Sequence, residues 1–442
     1  PSNSGGNGSS ESSGSTSNTA TPVTGENTVN IQVNGVNQNL ATATTATVNN
    51  RTVTTVVLND SQLNKMLAGE GNKAVITIPI INNTDVAIGQ LNGQTVKNME
   101  SKEAVLQIKT ENATYTLPAA QINIDAVSAQ IGQDVKLSDI TVSIEIAQAA
   151  EQTVKVVENA ASQGNFSIVV PPVEFTVTCT YADKTVNVSQ FNSYVERTIA
   201  IPDGVDPSKI TTGIIVEPDG TTRHVPTQIV QIDGKYYAKI NSLTNSTYSV
   251  IWNPLEFQDI AHHWAKDAVN DMGSRMVISG AGQDTFEPDR DITRAEFAAI
   301  IVRALGLKPG TGSNQFTDVS DKDWYGDYVK TASENKIISG YGDGQFGPED
   351  RISREQAFAM IARTMDITGL KTEIAAGEAD KLLTKFSDAN QASDYARSSI
   401  AECLKTAIAS GRNGGLIAPK DNITRAEAAV MVQKLLQKSN LI

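Results

Sequence analysis

The last third of this chain repeats one spacing three times: a glycine, a proline eight positions later and an arginine six positions after that. The three sets are Gly280/Pro288/Arg294, Gly340/Pro348/Arg354 and Gly411/Pro419/Arg425. A period of about 60 to 70 residues marks a repeated supersecondary unit. Because such units are usually stable only when stacked on one another, we expect the three copies to form one domain.

Each copy shares further landmarks in a fixed order. It opens with Phe-x-Asp, continues with an aromatic residue at the head of a helical pattern, and closes on Ile-Thr-Arg or Ile-Ser-Arg. The aspartates are Asp259, Asp318 and Asp388, the aromatic residues are Trp264, Trp324 and Tyr395, and the closing segments are 292–296, 352–356 and 423–427.

The closing segments predict helix starts. Thr293, Ser353 and Thr424 each precede a Glu or Gln by three positions, which is the capping-box pattern. The arginine that follows each cap occupies the first helical position, where the helix dipole is positive and mildly disfavours a cation. It is either a surface residue paired with a nearby aspartate or part of an anion receptor, and its recurrence at one backbone position favours the receptor.

These residues and motifs resemble those of the S-layer homology (SLH) family, over about residues 255–442. The resemblance implies an all-α domain of three repeats in a pseudo-threefold arrangement. It also implies that this domain anchors a bacterial surface protein to a secondary cell-wall polysaccharide, commonly one with pyruvate ketals on N-acetylmannosamine. The glycan would lie in grooves between neighbouring repeats.

The same resemblance assigns roles in glycan binding. The arginines would bind the carboxylate, the aspartates would orient sugar hydroxyls, the aromatic residues would line the grooves, and the glycine turns would let the backbone approach the sugar. The candidate residues are Asp259, Trp264, Gly280, Arg294, Asp318, Trp324, Gly340, Tyr341, Arg354, Asp388, Tyr395, Gly411 and Arg425. The third copy departs most from the pattern, with Tyr395 in place of Trp and Arg412 where the second copy has Tyr341. We therefore expect the second groove, with Arg354, to be the principal one.

Composition narrows the class of partner. The net charge of −13 gives no indication of general affinity for nucleic acid or acidic membranes. Ten of the thirteen arginines follow residue 250, as local recognition of anions would require. The two cysteines, Cys179 and Cys403, are too few for a disulfide scaffold. No apolar stretch approaches 18 residues, so no transmembrane helix is predicted, and no motif predicts a cofactor or a metal.

The region before the repeats is predicted to be mainly β. Residues 1–27 are rich in Ser, Gly, Asn and Thr, which is typical of a flexible leader. Alternating runs rich in Val, Ile and Thr then predict strands, interrupted by helices at about 60–67 and 119–131. We divide the chain into a β-rich domain with helices at 28–164, a β-sandwich-like domain at 165–254, and repeats at 255–310, 311–370 and 371–442. The expected fold class is α+β multidomain, with sandwich-like modules followed by the all-α repeats.

Sequence motifs give no support for an enzyme. The β region contains one histidine, His224, and no nucleophile, zinc or phosphate-loop motif. The sequence does not exclude a pair of carboxylates for glycoside hydrolysis, because it does not give the distance between them. We expect a secreted, non-catalytic protein of the cell wall that self-associates into an S-layer array or a surface filament. The alternatives are a wall-anchored polysaccharide hydrolase and a glycan-binding adhesin. The absence of Met at Pro1 leads us to expect a processed, exported polypeptide.

Overall fold

The structure is a computed structural model that describes residues 24–442 except positions 133, 283, 311, 371 and 413, with the backbone alone for 24–26. Most of the predicted leader, residues 1–23, lies outside the described residues.

Sixteen strands make up the region before the repeats. They are β1 Thr24–Val33, β2 Val36–Val48, β3 Arg51–Leu58, β4 Val75–Pro79, β5 Val86–Asn92, β6 Val105–Lys109, β7 Ala113–Pro118, β8 Thr141–Gln148, β9 Ser167–Tyr181, β10 Lys184–Asn187, β11 Gln190–Ala200, β12 Thr212–Val216, β13 Thr222–Val225, β14 Thr227–Ile232, β15 Lys235–Thr244 and β16 Thr247–Trp252.

All sixteen strands belong to one sheet, in the order β13-β12-β16-β9-β8-β5-β3-β2-β1-β4-β6-β7-β11-β15-β14, with β10 added beside β9. The pairs β3–β5 and β4–β6 are parallel, and the others are antiparallel. The sheet curls until its two edge strands, β13 and β14, meet at Pro226. Its inner faces therefore pack on each other. A Cβ on Gly89 of β5 would lie 2.4 Å from the Ile108 side chain of β6, on the opposite side of the core.

The predicted fold class is wrong in two respects. Instead of sandwich-like modules divided near residue 165, the chain forms a single 16-stranded sheet, in which β9 lies between β8 and β16. The polar segment that suggested a boundary is the end of a helix that connects β8 to β9. The all-α description of the repeats also fails, because isolated β-bridges join the repeats to one another. These bridges are Asp291–Thr424, Thr293–Arg351 and Ser353–Asn422.

Eleven α-helices complete the described chain. They are α1 Asp60–Gly69, α2 Gly93–Ser101, α3 Ile124–Ile131, α4 Glu151–Gly164, α5 Lys266–Ser274, α6 Arg294–Ala304, α7 Gly326–Glu334, α8 Arg354–Thr368, α9 Glu378–Leu383, α10 Asp394–Lys405 and α11 Arg425–Lys438. The first four pack on the sheet; α4, for example, buries Val157 against Ile214 and Ile251. None of the described helices is long and apolar enough to cross a membrane.

The repeats form a second hydrophobic core and pack against the sheet where its edge strands meet. Tyr194 of β11 donates a hydrogen bond to the carbonyl of Leu305 at 2.9 Å. Lys308 pairs with Glu217, the residue after β12, at 2.9 Å. Because these bonds connect the sheet to the repeats, the sheet fixes the position of the repeat region directly.

A candidate ligand-binding surface between the repeats

The three closing segments bond to one another in a ring. The amide of Ile292 donates to the carbonyl of Ile423, Ile423 donates to Ile352, and Ile352 donates back to Ile292, each at 3.1 Å. Each helix start is thus fixed by a neighbouring repeat. A residue at the start of one helix therefore faces the glycine-containing loop of another repeat.

The predicted capping boxes are confirmed in all three copies. Thr293, Ser353 and Thr424 each accept a hydrogen bond from the amide three positions on, and the Glu or Gln there accepts one from the cap residue. The caps fix the first turn of α6, α8 and α11, so the arginine at each first helical position projects in an equivalent direction.

The three arginines are buried, with only 4 to 6% of each residue exposed. Each guanidinium inserts into the next repeat and donates to two backbone carbonyls there. Arg294 donates to Phe346 and Ser339, Arg354 to Ile417 and Ser410, and Arg425 to Phe286 and Ser279, at 2.7 to 3.3 Å. The alternative of a surface ion pair with a neighbouring aspartate does not describe them, since the arginines are buried and join the repeats.

Two of the arginines also meet a carboxylate. Nη1 of Arg354 lies 2.9 Å from Oε1 of Glu427, and Nη1 of Arg425 lies 3.4 Å from Oε1 of Glu296. Burial acts to raise the pKa of Glu427, but hydrogen bonds from Arg412 and the charge of Arg354 outweigh it and lower the pKa. Arg294 forms no ion pair with the described residues.

A groove of about 780 Å³ brings together residues from all three repeats. Trp264 comes from the first repeat, Arg354 from the second, and Gly411 and Arg412 from the third. The sequence prediction is silent on Lys434, which also lines this groove.

Charges within this groove are largely paired. Arg412 binds both oxygens of Glu427, at 2.9 and 2.8 Å, and Asp421 at 2.8 Å. Glu427 therefore pairs with both Arg412 and Arg354, and Asp421 supplies the second negative charge. The sequence shows Glu427 only as a helix cap, because its second role depends on contacts with a different repeat.

The predicted aspartates lie within their own repeats, where they hold the loops that carry the glycines. Asp318 accepts hydrogen bonds from the amides of Phe346 and Gly347, at 2.8 and 2.7 Å. Asp259 and Asp388 accept equivalent bonds from their own loops. Their role in orienting sugar hydroxyls stays a prediction.

The glycines are required by the loop itself. A Cβ on Gly340 would lie 2.4 Å from the carbonyl oxygen of Gln345, and one on Gly280 would lie 2.8 Å from that of Thr285. Gly411 is similarly close to Phe386. Packing inside each repeat therefore explains these glycines without a ligand, and backbone approach to a sugar stays a prediction.

The aromatic candidates are on the surface. Trp264, Trp324, Tyr341 and Tyr395 are 66, 56, 49 and 58% exposed. Tyr341 stacks on Arg294, with 4.7 Å between the guanidinium carbon and the ring centroid, and the charge of Arg294 also acts on the Tyr395 hydroxyl. Exposed aromatic rings next to arginines offer a face for sugar packing and hydrogen-bond donors for an anion.

Outside the repeats, no group of three or more His, Cys, Asp or Glu side chains among the described residues is arranged to hold a metal ion. His224 is buried, with Nδ1 at 3.1 Å from the Thr212 hydroxyl. Both cysteines are buried and unpaired.

Comparison with known families places a motif over each repeat. The model of the S-layer homology domain matches residues 256–298, 315–358 and 385–429. The matched segments contain every predicted glycan-binding residue.

Relatives of this chain include proteins named as an amylopullulanase, an exoglucanase and a surface layer protein. An amylopullulanase from Thermoanaerobacterium thermosulfurigenes is 28% identical over 404 residues, which is 89% of this chain and 19% of the relative. The exoglucanase XynX from Acetivibrio thermocellus is 34% identical over 45% of this chain and 18% of its own length. A surface layer protein from Brevibacillus choshinensis is 31% identical over 34% of this chain and 14% of its own length. The chain thus spans less than a fifth of each of these relatives.

Proposed function

We propose that this chain, whose three repeats match the S-layer homology domain, is a cell-surface protein in which residues 255–442 bind a pyruvylated secondary cell-wall polysaccharide. The region before them, from 28 to 254, would be a non-catalytic unit displayed at the surface, either in an S-layer array or in a filament.

One observation carries the proposal. An exposed tryptophan, a glycine loop and two arginines from three different repeats meet in a single groove of about 780 Å³. A flat indole beside guanidinium and ammonium donors suits a sugar ring with hydroxyl and acidic substituents. Since each repeat contributes one part, the groove exists only when the ring of repeats is closed.

The display role rests on different support. Relatives named as a surface layer protein and a surface-layer 125 kDa protein match 34 and 39% of this chain. Purified protein at high concentration should assemble into ordered sheets or fibres in negative-stain microscopy. A monomer that stays dispersed under these conditions would count against the display role and leave glycan binding untouched.

Wall binding is tested by sedimentation with purified Gram-positive cell walls. Trp264→Ala removes an exposed groove side chain without leaving a cavity in the core. We expect the affinity for walls to fall by about five- to 150-fold, because loss of an aromatic stacking contact costs about 1 to 3 kcal/mol. Tyr236→Ala is the control, because Tyr236 is a 37% exposed aromatic of the sheet. If Trp264→Ala and Tyr236→Ala bind cell walls equally well, the groove is not the glycan-binding site.

A second candidate function follows from the relative that covers most of the chain. The amylopullulanase aligns with 89% of it, including much of the sheet region. If the sheet were catalytic, the protein would release reducing sugar from pullulan or from the wall polysaccharide. Absence of product after prolonged incubation with both polymers would exclude these two activities.

A further inference from the structure

The sheet is open along part of the strand β1. On one side β1 pairs with β2 from Thr24 to Val33, but on the other side it pairs with β4 only through Gln32 and Val33. All five residues of β4 are instead paired with β6, so β4 continues beside β6. Among the described residues, no strand therefore pairs with residues 27–31 on the side opposite β2. We call this stretch the free edge of β1.

The other three outer strands of the sheet meet other parts of the chain. β10 packs against α3, and β13 packs against α6 of the first repeat. Arg275 of that repeat donates a hydrogen bond to the carbonyl of Thr227 in β14. The sheet residues that pack against the core of the repeats include Tyr194 and Leu243, on β11 and β15, and none of the described residues of β1 does so. The repeats thus leave the free edge accessible.

The free edge lacks the residues that usually keep sheet edges apart. Natural proteins protect such edges with charged side chains, especially Lys, or with Pro. Residues 27–31 are Asn-Thr-Val-Asn-Ile and include neither. Unpaired N–H and C=O groups on an uncharged strand form a template for another strand. The free edge is therefore suited to the addition of a β-strand.

A groove of about 320 Å³ lies between the free edge and the segment that follows β4. Asn27 and Val29 line it on the side of β1, and residues 79–82 line it on the other side, where Ile81 is 66% exposed. None of the residues that line this groove is charged. Since successive side chains of a strand point to opposite faces, every second side chain of an added strand would lie over the groove and cover Val29 and Ile81.

The absence of charge indicates which partner fits. The protein has a net charge of −13, so electrostatic repulsion opposes contact between two copies overall. An uncharged edge is a place where two copies can meet without bringing like charges together, and it offers no charge to attract a basic or acidic partner. Two identical edges are complementary when they run antiparallel, because each supplies the N–H and C=O groups that the other lacks.

We propose that β1 of one copy pairs antiparallel with β1 of a second copy across a two-fold axis, and that this contact joins the displayed sheets in pairs. The assignment rests on the proposed display role, since it names the surface through which copies associate. A two-fold contact closes on itself and yields dimers. Assembly of these dimers into an array or a filament requires a second, different contact.

Pairing over so short a stretch is weak between free molecules, because two strands alone are marginally stable in water. Copies that are anchored side by side on one wall have a high effective concentration, which converts a weak contact into a lasting one. Because the repeats pack on other strands, binding to the wall does not block the free edge. Anchoring and pairing can therefore occur in the same molecule.

The test places a charge at Thr28, which is exposed and lies within the free edge. A two-fold axis near this residue brings its two copies close together, so Thr28→Lys and Thr28→Glu should each introduce repulsion between like charges. We expect the dimer association constant, measured by sedimentation velocity of the full chain, to fall by about fivefold in each variant. An equimolar mixture of the two variants should restore it, because Lys then faces Glu.

Matched controls place the same charges on a different outer strand. Gln231 is exposed on β14, and Gln231→Lys and Gln231→Glu should leave the dimer unchanged, alone or mixed. All four variants should sediment with purified cell walls as the wild type does, because none of them alters the repeats. This measurement also shows that each variant is folded.

The outcomes separate this assignment from the proposed function. If the Thr28 variants dimerise like the wild type, or if their mixture does not recover, the free edge is not the contact and the display role stands. An equal loss in the Gln231 variants would also overturn the assignment, since added charge alone would then explain it. A wild-type chain that stays monomeric at every concentration excludes the assignment together with the display role, while sedimentation with walls reports polysaccharide binding separately.

Discussion

Nη1 of Arg354 lies 2.9 Å from Oε1 of Glu427, which is 73 positions further along the chain. The side chains of the two residues are 5 and 15% exposed. Together with two backbone carbonyls of the third repeat, this pair joins α8 to α11. The same contact thus joins two repeats and pairs the charge of Arg354 within the groove of about 780 Å³.

Removal of the arginine should destabilise the ring. Arg354→Ala leaves two carbonyls and part of Glu427 without a donor, so the free energy of unfolding should fall by about 3 to 5 kcal/mol. Arg351→Ala, which removes an exposed bond to the carbonyl of Asp291, should cost less than about 1 kcal/mol. Urea unfolding followed by tryptophan fluorescence measures both. Similar losses in the two variants would contradict the structural role of Arg354.

Acid should destabilise the repeats, because it protonates Glu427 and removes its ion pairs. Although burial acts to raise its pKa, hydrogen bonds from Arg412 and the charge of Arg354 lower it below the usual 4.5. The stabilisation is therefore complete above about pH 4.5 and is lost as the pH falls through the lower folded value. The free energy of unfolding should decrease more steeply between pH 5 and 3 in the wild type than in Glu427→Gln. Identical slopes would argue against the ion pairs.

His224 should make the free energy of unfolding depend on pH below about 6.5, a higher pH range than that of Glu427. Burial, followed by the charges of Arg275 and Arg223, lowers its pKa well below 6.5, and its Nε2 is buried without a partner. His224 therefore binds a proton below about pH 6.5 in the unfolded chain but stays neutral in the folded chain. Stability is full above pH 6.5 and should fall by up to about 1.4 kcal/mol per pH unit below it. His224→Gln should flatten this slope in urea titrations at pH 7.5 and 5.5, and a slope that persists in the variant would rule out His224 as its cause.

A methyl group on Gly340 should disturb its loop. The added Cβ would lie 2.4 Å from the carbonyl of Gln345, so the backbone must shift, at a cost of about 1 to 3 kcal/mol. Gly71→Ala is the comparison, because nothing lies within 4 Å of its Cβ position, and it should be neutral or slightly stabilising. Thermal unfolding distinguishes the two, and an unchanged midpoint for Gly340→Ala would show that the loop yields easily.

Local pattern predicted local structure well. The alternation at 52–58 is the strand β3, and the apolar spacing after Asp60 is the helix α1. The helices α2 and α4 were missed, although buried residues recur at helical spacing in both, Val96 and Met99 in α2 and Val157, Ala160 and Ala161 in α4, because the rest of each stretch is polar. The division near residue 165 failed because sheet membership is decided by pairing with distant strands.

The contacts of the candidate site likewise could not be predicted from local sequence. The repeat identified the three arginines, but it placed them at open helix ends, and the structure buries them in the next repeat. Their acceptors are carbonyls 45 to 146 positions away, which no local pattern specifies.

By itself, the sequence determined the three repeats, their helix starts and the family to which they belong, because caps and apolar periods act between residues a few positions apart. Only the tertiary structure decided that the repeats close into a ring, that Glu427 and Glu296 pair with Arg354 and Arg425, and that Arg294 has no ion-pair partner among the described residues. Such pairings depend on which repeat faces which. That choice follows from burial of the shared core, a property of the whole domain.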